Sequence, residues 1–259
     1  MVILGAWAGP ARAGRLEVEL SCMMGERANG GLELALTVFN RGDEAARGLV
    51  AVPLYPPGAS PSLVLPVLDA GQGATLGLSW GRLPAAPPGR RCAVLRLDLR
   101  DQASMPWSAL GYGCRDQVSH WEPPLTVGAA PLELRGAGRL RASLGNSGPL
   151  PLAVTVRVFS PRELALKDPT RRIIIPPGQV RELSWEVSHL GAQAQARYPV
   201  LIHSALDLEG RHGERVDEVM VSLTPAPNPF RASLGWWLAA LAGLAAWVAL
   251  AQWRARRRR

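Results

Sequence analysis

LALTVFNRG at Leu34–Gly42 and LRASLGNSG at Leu140–Gly148 are the stretches that decide the fold. Each is an apolar, alternating segment that ends on Asn-x-Gly. In the first half AGQGATLGLSW (Ala70–Trp80) and CAVLRLDLRD (Cys92–Asp101) follow; in the second, PPGQVRELSW (Pro176–Trp185) and YPVLIHSALDLEG (Tyr198–Gly210). Asn40 and Asn146 are 106 positions apart, Trp80 and Trp185 are 105 apart, and Asp98 and Asp207 are 109 apart. Three marks in one order at nearly one offset imply a tandem duplication.

Each copy reads as a β-sandwich. Leu16, Val18, Leu20 and Cys22 alternate with polar neighbours, as do Leu32, Leu34, Leu36 and Val38, the period of a half-buried strand. Strands are predicted in the first copy at Leu16–Cys22, Leu32–Asn40, Gly48–Leu54, Ser62–Val67, Ala74–Trp80, Cys92–Leu99 and Trp107–Tyr112. In the second they are predicted at Leu140–Leu144, Leu152–Phe159, Arg171–Ile175, Val180–Val187, Tyr198–Asp207 and Arg215–Ser222. The 27 glycines and 23 prolines supply the turns that so many short strands need. Asn-x-Gly suits a tight turn because both residue types tolerate positive φ. Trp80 and Trp185 are expected to pack in the two cores; a carbohydrate-binding platform is the alternative.

These motifs resemble immunoglobulin-like domains of bacterial surface proteins, above all the CARDB and α-galactosidase-associated groups, over about Leu16 to Leu223. The resemblance implies non-catalytic modules used for adhesion, spacing or presentation.

The 259 residues carry a formal net charge of +8, but five arginines (Arg254, Arg256, Arg257, Arg258, Arg259) follow Trp253. Without them 24 basic residues face 21 acidic ones, scattered and without a basic stripe, so no nucleic-acid partner is expected. From Ala232 to Trp253 there are 22 consecutive uncharged residues. At about 1.5 Å per residue such a helix matches a hydrocarbon core of about 30 Å. Trp236, Trp237 and Trp253 suit the two headgroup regions, and Arg254, Arg256 and Arg257 hold that end in the cytoplasm. Gly235, Ala239 and Gly243 form a small-residue face for packing on another helix. The plan of span and arginine cluster is similar to that of proteins handled by sortase-like enzymes, without their Leu-Pro-x-Thr-Gly or Pro-Glu-Pro motifs.

The resulting order is an all-β chain with one C-terminal transmembrane helix. Residues 1–13 form a truncated signal peptide or, alternatively, a first buried strand, with Ala11-Arg12-Ala13 fitting a cleavage motif. Residues 14–126 and 127–223 form two immunoglobulin-like sandwiches, 224–231 a proline-rich stalk, 232–253 the span and 254–259 a cytoplasmic tail. The expected location is the plasma (inner) membrane, with a periplasmic or extracellular ectodomain. The expected partners are the bilayer and an envelope protein or glycan.

Little points to chemistry. Cys92 and Cys114 fall opposite each other if a hairpin centres near Ala103, making a disulfide in an oxidising compartment. Cys22 is the alternative partner of either, or a buried thiol. His120, His189, His203 and His212 form no zinc motif, and no cofactor or metal is expected. Asp207, Glu209, Asp217 and Glu218 lack a calcium-loop spacing and read as solvated strand ends. Gly71-Gln72-Gly73 reads as a turn, not a phosphate cradle. A Ser-His-Asp site has no nucleophile elbow to favour it, so the chain reads as a non-enzyme. An accessory subunit of a membrane complex and an envelope hydrolase or carbohydrate-active enzyme are the alternative readings.

Overall fold

A computed structural model describes residues 16–27, 31–58, 63–82, 87–117, 121–190, 197–224 and 247. The first strands are β1 (Val18–Glu26), β2 (Gly31–Asn40), β3 (Ala46–Tyr55), β4 (Leu63–Leu68), β5 (Gly73–Arg82), β6 (Arg90–Arg100) and β7 (Pro106–Asp116). They form sheets ordered β1-β2-β5 and β4-β3-β6-β7, the Greek-key arrangement of an immunoglobulin-like sandwich. The second set is β8 (Leu125–Ala129), β9 (Leu132–Leu134), β10 (Ala137–Asn146), β11 (Leu152–Phe159), β12 (Leu164–Leu166), β13 (Thr170–Ile175), β14 (Val180–His189), β15 (Arg197–Leu208) and β16 (Arg211–Leu223). Its sheets run β12-β14-β10-β8 and β13-β11-β15-β16-β9. Both sandwiches lie in one compact unit that ends at Leu223.

Each sandwich closes over its own core. Leu32, Leu34, Leu36 and Val38 on β2 bury against Leu78, Trp80, Leu95 and Leu97. Leu140, Ala142 and Leu144 on β10 bury against Trp185, Val200, Ile202 and Val221. Trp80 and Trp185 are both core residues, as the alternation predicts. Their indoles differ: Trp80 Nε1 donates to Pro56 O at 2.8 Å, whereas Trp185 Nε1 has no partner.

The Asn-x-Gly marks differ from expectation: none of Asn40, Gly42, Asn146 and Gly148 takes positive φ, and the asparagines work through their side chains instead. Asn40 is fully buried, and its amide nitrogen donates to Glu44 O (2.8 Å) and Leu68 O (3.0 Å). Its side-chain oxygen accepts from Gly42 N (3.0 Å), and its backbone exchanges bonds with Gln72 O and Gly71 N. Asn146 repeats every contact: Leu150 O (2.7 Å), Ile175 O (2.9 Å), Gly148 N (2.8 Å), Gln179 O and Gly178 N. One amide thus ties the end of β2 or β10 to the end of β4 or β13 in the facing sheet. Gly71 and Gly178 take positive φ (74° and 67°) in the turns that deliver their N–H groups.

The predicted strands are present, and three further short ones, β8, β9 and β12, extend the second sandwich. The expected span at 232–253, with Gly235, Trp236, Trp237, Ala239, Gly243 and Trp253, lies outside the described residues except for Trp247. The tail arginines Arg254, Arg256 and Arg257 and the expected leader at 1–13 lie outside them too. Among the described residues no helix is long and apolar enough to cross a membrane.

Replacing Asn146 with Leu strands the buried carbonyl of Ile175 and the partly buried one of Leu150, so unfolding by denaturant should show a loss of about 2 kcal/mol. Asn40→Leu should behave alike. A loss near zero in either would show that the amide does not join the sheets.

Candidate functional site

The richest polar cluster lies where the two sandwiches meet. Antiparallel ladders alternate hydrogen-bonded pairs with pairs whose N–H groups point away from the partner strand. Cys92 and Cys114 face each other in the β6–β7 register with Cα atoms 4.0 Å apart, and they are joined by a disulfide. On the other side of β6 the pairing with β3 stops at Tyr55–Val94. The Cys92 N–H therefore has no strand to receive it. Glu214 of β16 supplies the acceptor: its Oε2 takes the Cys92 N–H. Its Oε1 accepts from Tyr55 Oη (2.7 Å) and lies 2.8 Å from His212 Nε2.

Glu214 is 2% exposed. Burial alone would raise its pKa, but the imidazoles of His203 and His212 and the Tyr55 hydroxyl outweigh it. Its carboxyl is held well below the ordinary value of 4.5. His212 has carboxylates at both ring nitrogens, with Asp207 Oδ1 2.7 Å from Nδ1. Burial works against its charge, yet Glu214 and Asp207 prevail and raise its pKa above 6.5. Tyr55 is pushed above the usual phenol range by burial and by the Glu214 charge. Its ring lies tilted at 46° against His203, centroids 4.3 Å apart, and His203 Nε2 is 3.5 Å from Glu214 Oε2 without hydrogen-bond geometry. Val94, Leu110 and Leu201 form the apolar floor.

A second buried carboxylate repeats the device. Glu163, just before β12, accepts from Ser108 N (2.7 Å) and Ser108 Oγ (2.6 Å) on β7. Ser108 Oγ in turn accepts from Arg162 N (2.8 Å). Ser108 and Cys92 are both at sites of β6–β7 whose N–H groups face outward. Two carboxylates of the second sandwich thus cap two backbone donors of the first.

Both oxygens of Glu214 and both ring nitrogens of His212 are engaged, whereas both ring nitrogens of His203 are buried without a hydrogen-bond partner. No group of three His, Cys, Asp or Glu among the described residues is placed to hold a metal ion. Beside the cluster lies a polar cleft of about 240 Å³ flanked by Arg90, Glu122, Arg215 and Asp217, where Arg215 is bound to Asp217 at 2.7 Å.

Of the other residues singled out from the sequence, Cys22 is a free thiol pushed up to about 11 by burial, close under Gly111. Asp207 and Asp217 make the contacts above. His189 is exposed, and His120 lies outside the described residues. Sequence reasoning missed Glu214, Tyr55, Glu163 and Ser108. Their only signal is carboxylates set beside residues of alternating, buried strands.

No family model matches the chain and no curated protein does. Among solved structures it is similar to E. coli alpha-2-macroglobulin at 13% identity and a TM-score of 0.36, covering 82% of this chain but only 17% of that one. It is also similar to a protein of unknown function from Porphyromonas gingivalis W83 (15% identity, TM-score 0.33, 80% of this chain and 99% of that one). The YadV chaperone is a third (12% identity, TM-score 0.32, 78% of this chain and 99% of that one). These likenesses are too loose to bear on function. The described residues up to Leu223 form two β-sandwiches.

Glu214→Gln should lower stability by about 3 kcal/mol, because it removes the charge that His212 and Tyr55 face; a loss below about 1 kcal/mol would show that Glu214 does not hold the two sandwiches together. The two titrations bound a window. The contribution of Glu214, depressed in the fold, is complete above 4.5 and is lost as pH falls through its lowered value. That of His212, raised in the fold, is complete below 6.5 and is lost as pH rises through its raised value. Melting temperature should therefore peak between pH 4.5 and 6.5. His212→Gln should flatten the decline on the alkaline side, and an unchanged slope would exclude His212 as its source.

Proposed function

We propose that the chain is a membrane-anchored, non-catalytic envelope protein whose two-sandwich ectodomain binds or scaffolds a protein or glycan partner. The observation that carries this reading is the order of the sequence: a compact β unit closes at Leu223, and 22 uncharged residues then run into Arg254–Arg259. A span there fixes the sandwiches near the bilayer, with the arginines on the cytoplasmic side. The disulfide suits an ectodomain in an oxidising compartment. The junction supports a scaffold, since buried carboxylates lock the sandwiches into one body that presents loops and strand edges at fixed spacing. The resemblance to CARDB-like modules points the same way.

A second reading, an accessory subunit of a membrane complex, is favoured by Gly235, Ala239 and Gly243 at four-residue spacing.

Deleting 234–259 should move the protein from the membrane to the soluble fraction with its sandwiches folded; a folded product that stays with membranes would refute the anchor. Replacing the span with polyleucine separates the two readings. Partner capture by in-cell crosslinking persists if the sandwiches bind, and is lost if the helix face does.

A further inference from the structure

We propose that the free edge of β13 is a docking site for an extended, acidic segment of a partner protein, which adds as a further strand to the five-stranded sheet. The proposal rests on the reading of the ectodomain as a binding module and names the surface and the partner's chemistry. β13 ends the order β13-β11-β15-β16-β9, so among the described residues one of its two ladders of N–H and C=O groups has no strand beside it. Such an edge is a template for pairing with another chain, and proteins that must avoid this blunt it with proline, charge or shortening.

The internal repeat provides a comparison. Leu68 O and Ile175 O receive the same bond from Asn40 and Asn146, which aligns β4 with β13 at an offset of 107. Position 66 of the first copy is a proline, which cannot donate to a ladder; its counterpart is Ile173. Another edge strand, β7, is capped by Glu163 at Ser108. Among the described residues β13 has neither a proline nor a carboxylate cap, and the only charges on it are two arginines. Its six residues, TRRIII, are rich in β-branched side chains, and Ile174 is 68% exposed.

Charge selects the occupant. Arg171 and Arg172 are both exposed and make no ion pair or hydrogen bond among the described residues. Consecutive strand residues point to opposite faces, so the pair offers one cation on each side of an added strand. Arg172 lies opposite Thr155 on the outer face, in line with Ile174 opposite Ala153. Arg171 instead lines a cleft of about 260 Å³ with Arg139, Lys167, Asp168 and Glu186, where the cations outnumber the two carboxylates and both Arg139 and Lys167 lean on Glu186 (4.0 and 3.9 Å). Two adjacent acidic residues followed by a β-branched one, in extended conformation, would meet both arginines and Ile174.

The test is panning of phage-displayed random peptides against the full chain in mild detergent, compared with the Arg171→Glu/Arg172→Glu variant. The expected consensus has adjacent acidic residues beside β-branched ones. Its binding should fall about tenfold in the variant, weaken with added salt, and slow amide exchange across Thr170–Ile175. Both arginines are exposed, so the variant should melt at the wild-type temperature, which separates lost binding from lost folding. A consensus without acids, equal binding to both proteins, protection elsewhere, self-association alone or no enrichment would each overturn the site. A partner crosslinked in cells to another surface of the sandwiches would overturn the edge while leaving the binding module intact; no partner at any surface would remove both.

Discussion

A carboxylate that is 2% exposed stays ionised only when donors surround it, and the arrangement of this chain depends on meeting that condition at Glu214. Its donors come from three places: a tyrosine ending β3, a backbone amide of β6, and a histidine two residues away on its own strand. Two of the three belong to the other sandwich. Separating the halves would leave a buried charge unpaired, so the junction resists opening far more than its small apolar floor of Val94, Leu110 and Leu201 could ensure. Glu163 does the same for Ser108 on the neighbouring strand.

The duplication makes the junction informative. Asn40 and Asn146 carry the same contacts in both copies, because each sandwich must join its sheets at the same corner. The buried carboxylates have no such echo. Glu214 on β16 reaches β3 and β6, and Glu163 before β12 reaches β7, so these residues occur once. Trp80 and Trp185 show an intermediate degree of divergence, with equal burial and unequal hydrogen bonding.

Most of the fold was legible in the sequence for a physical reason. Alternation with period two reports directly on burial in a two-layer sandwich, and Leu32–Val38 or Leu152–Val158 need little context to be read. β9 and β12 were not legible, since three residues are too few for a period and their pairing is decided by β16 and β14. Asn-x-Gly reads as a turn in sequence, while the buried amide joining two sheets needs partners more than twenty positions away. Glu214 was the least legible. Within RHGERVDE it looks like one more solvated charge, and only the ladder ending at Tyr55 turns it into the acceptor of an orphaned N–H.

Buried carboxylates hold the two sandwiches as one body, and the spread of distances between the sandwiches reports on that hold. Spin labels on Thr75 and Ser184, one on each sandwich, would be measured by pulsed electron resonance in the full chain with Cys22→Ser. A single narrow distribution that broadens when Glu214 and Glu163 are both changed to Gln is the predicted result. A distribution already broad in the parent, or one equally narrow without the two carboxylates, would contradict the account.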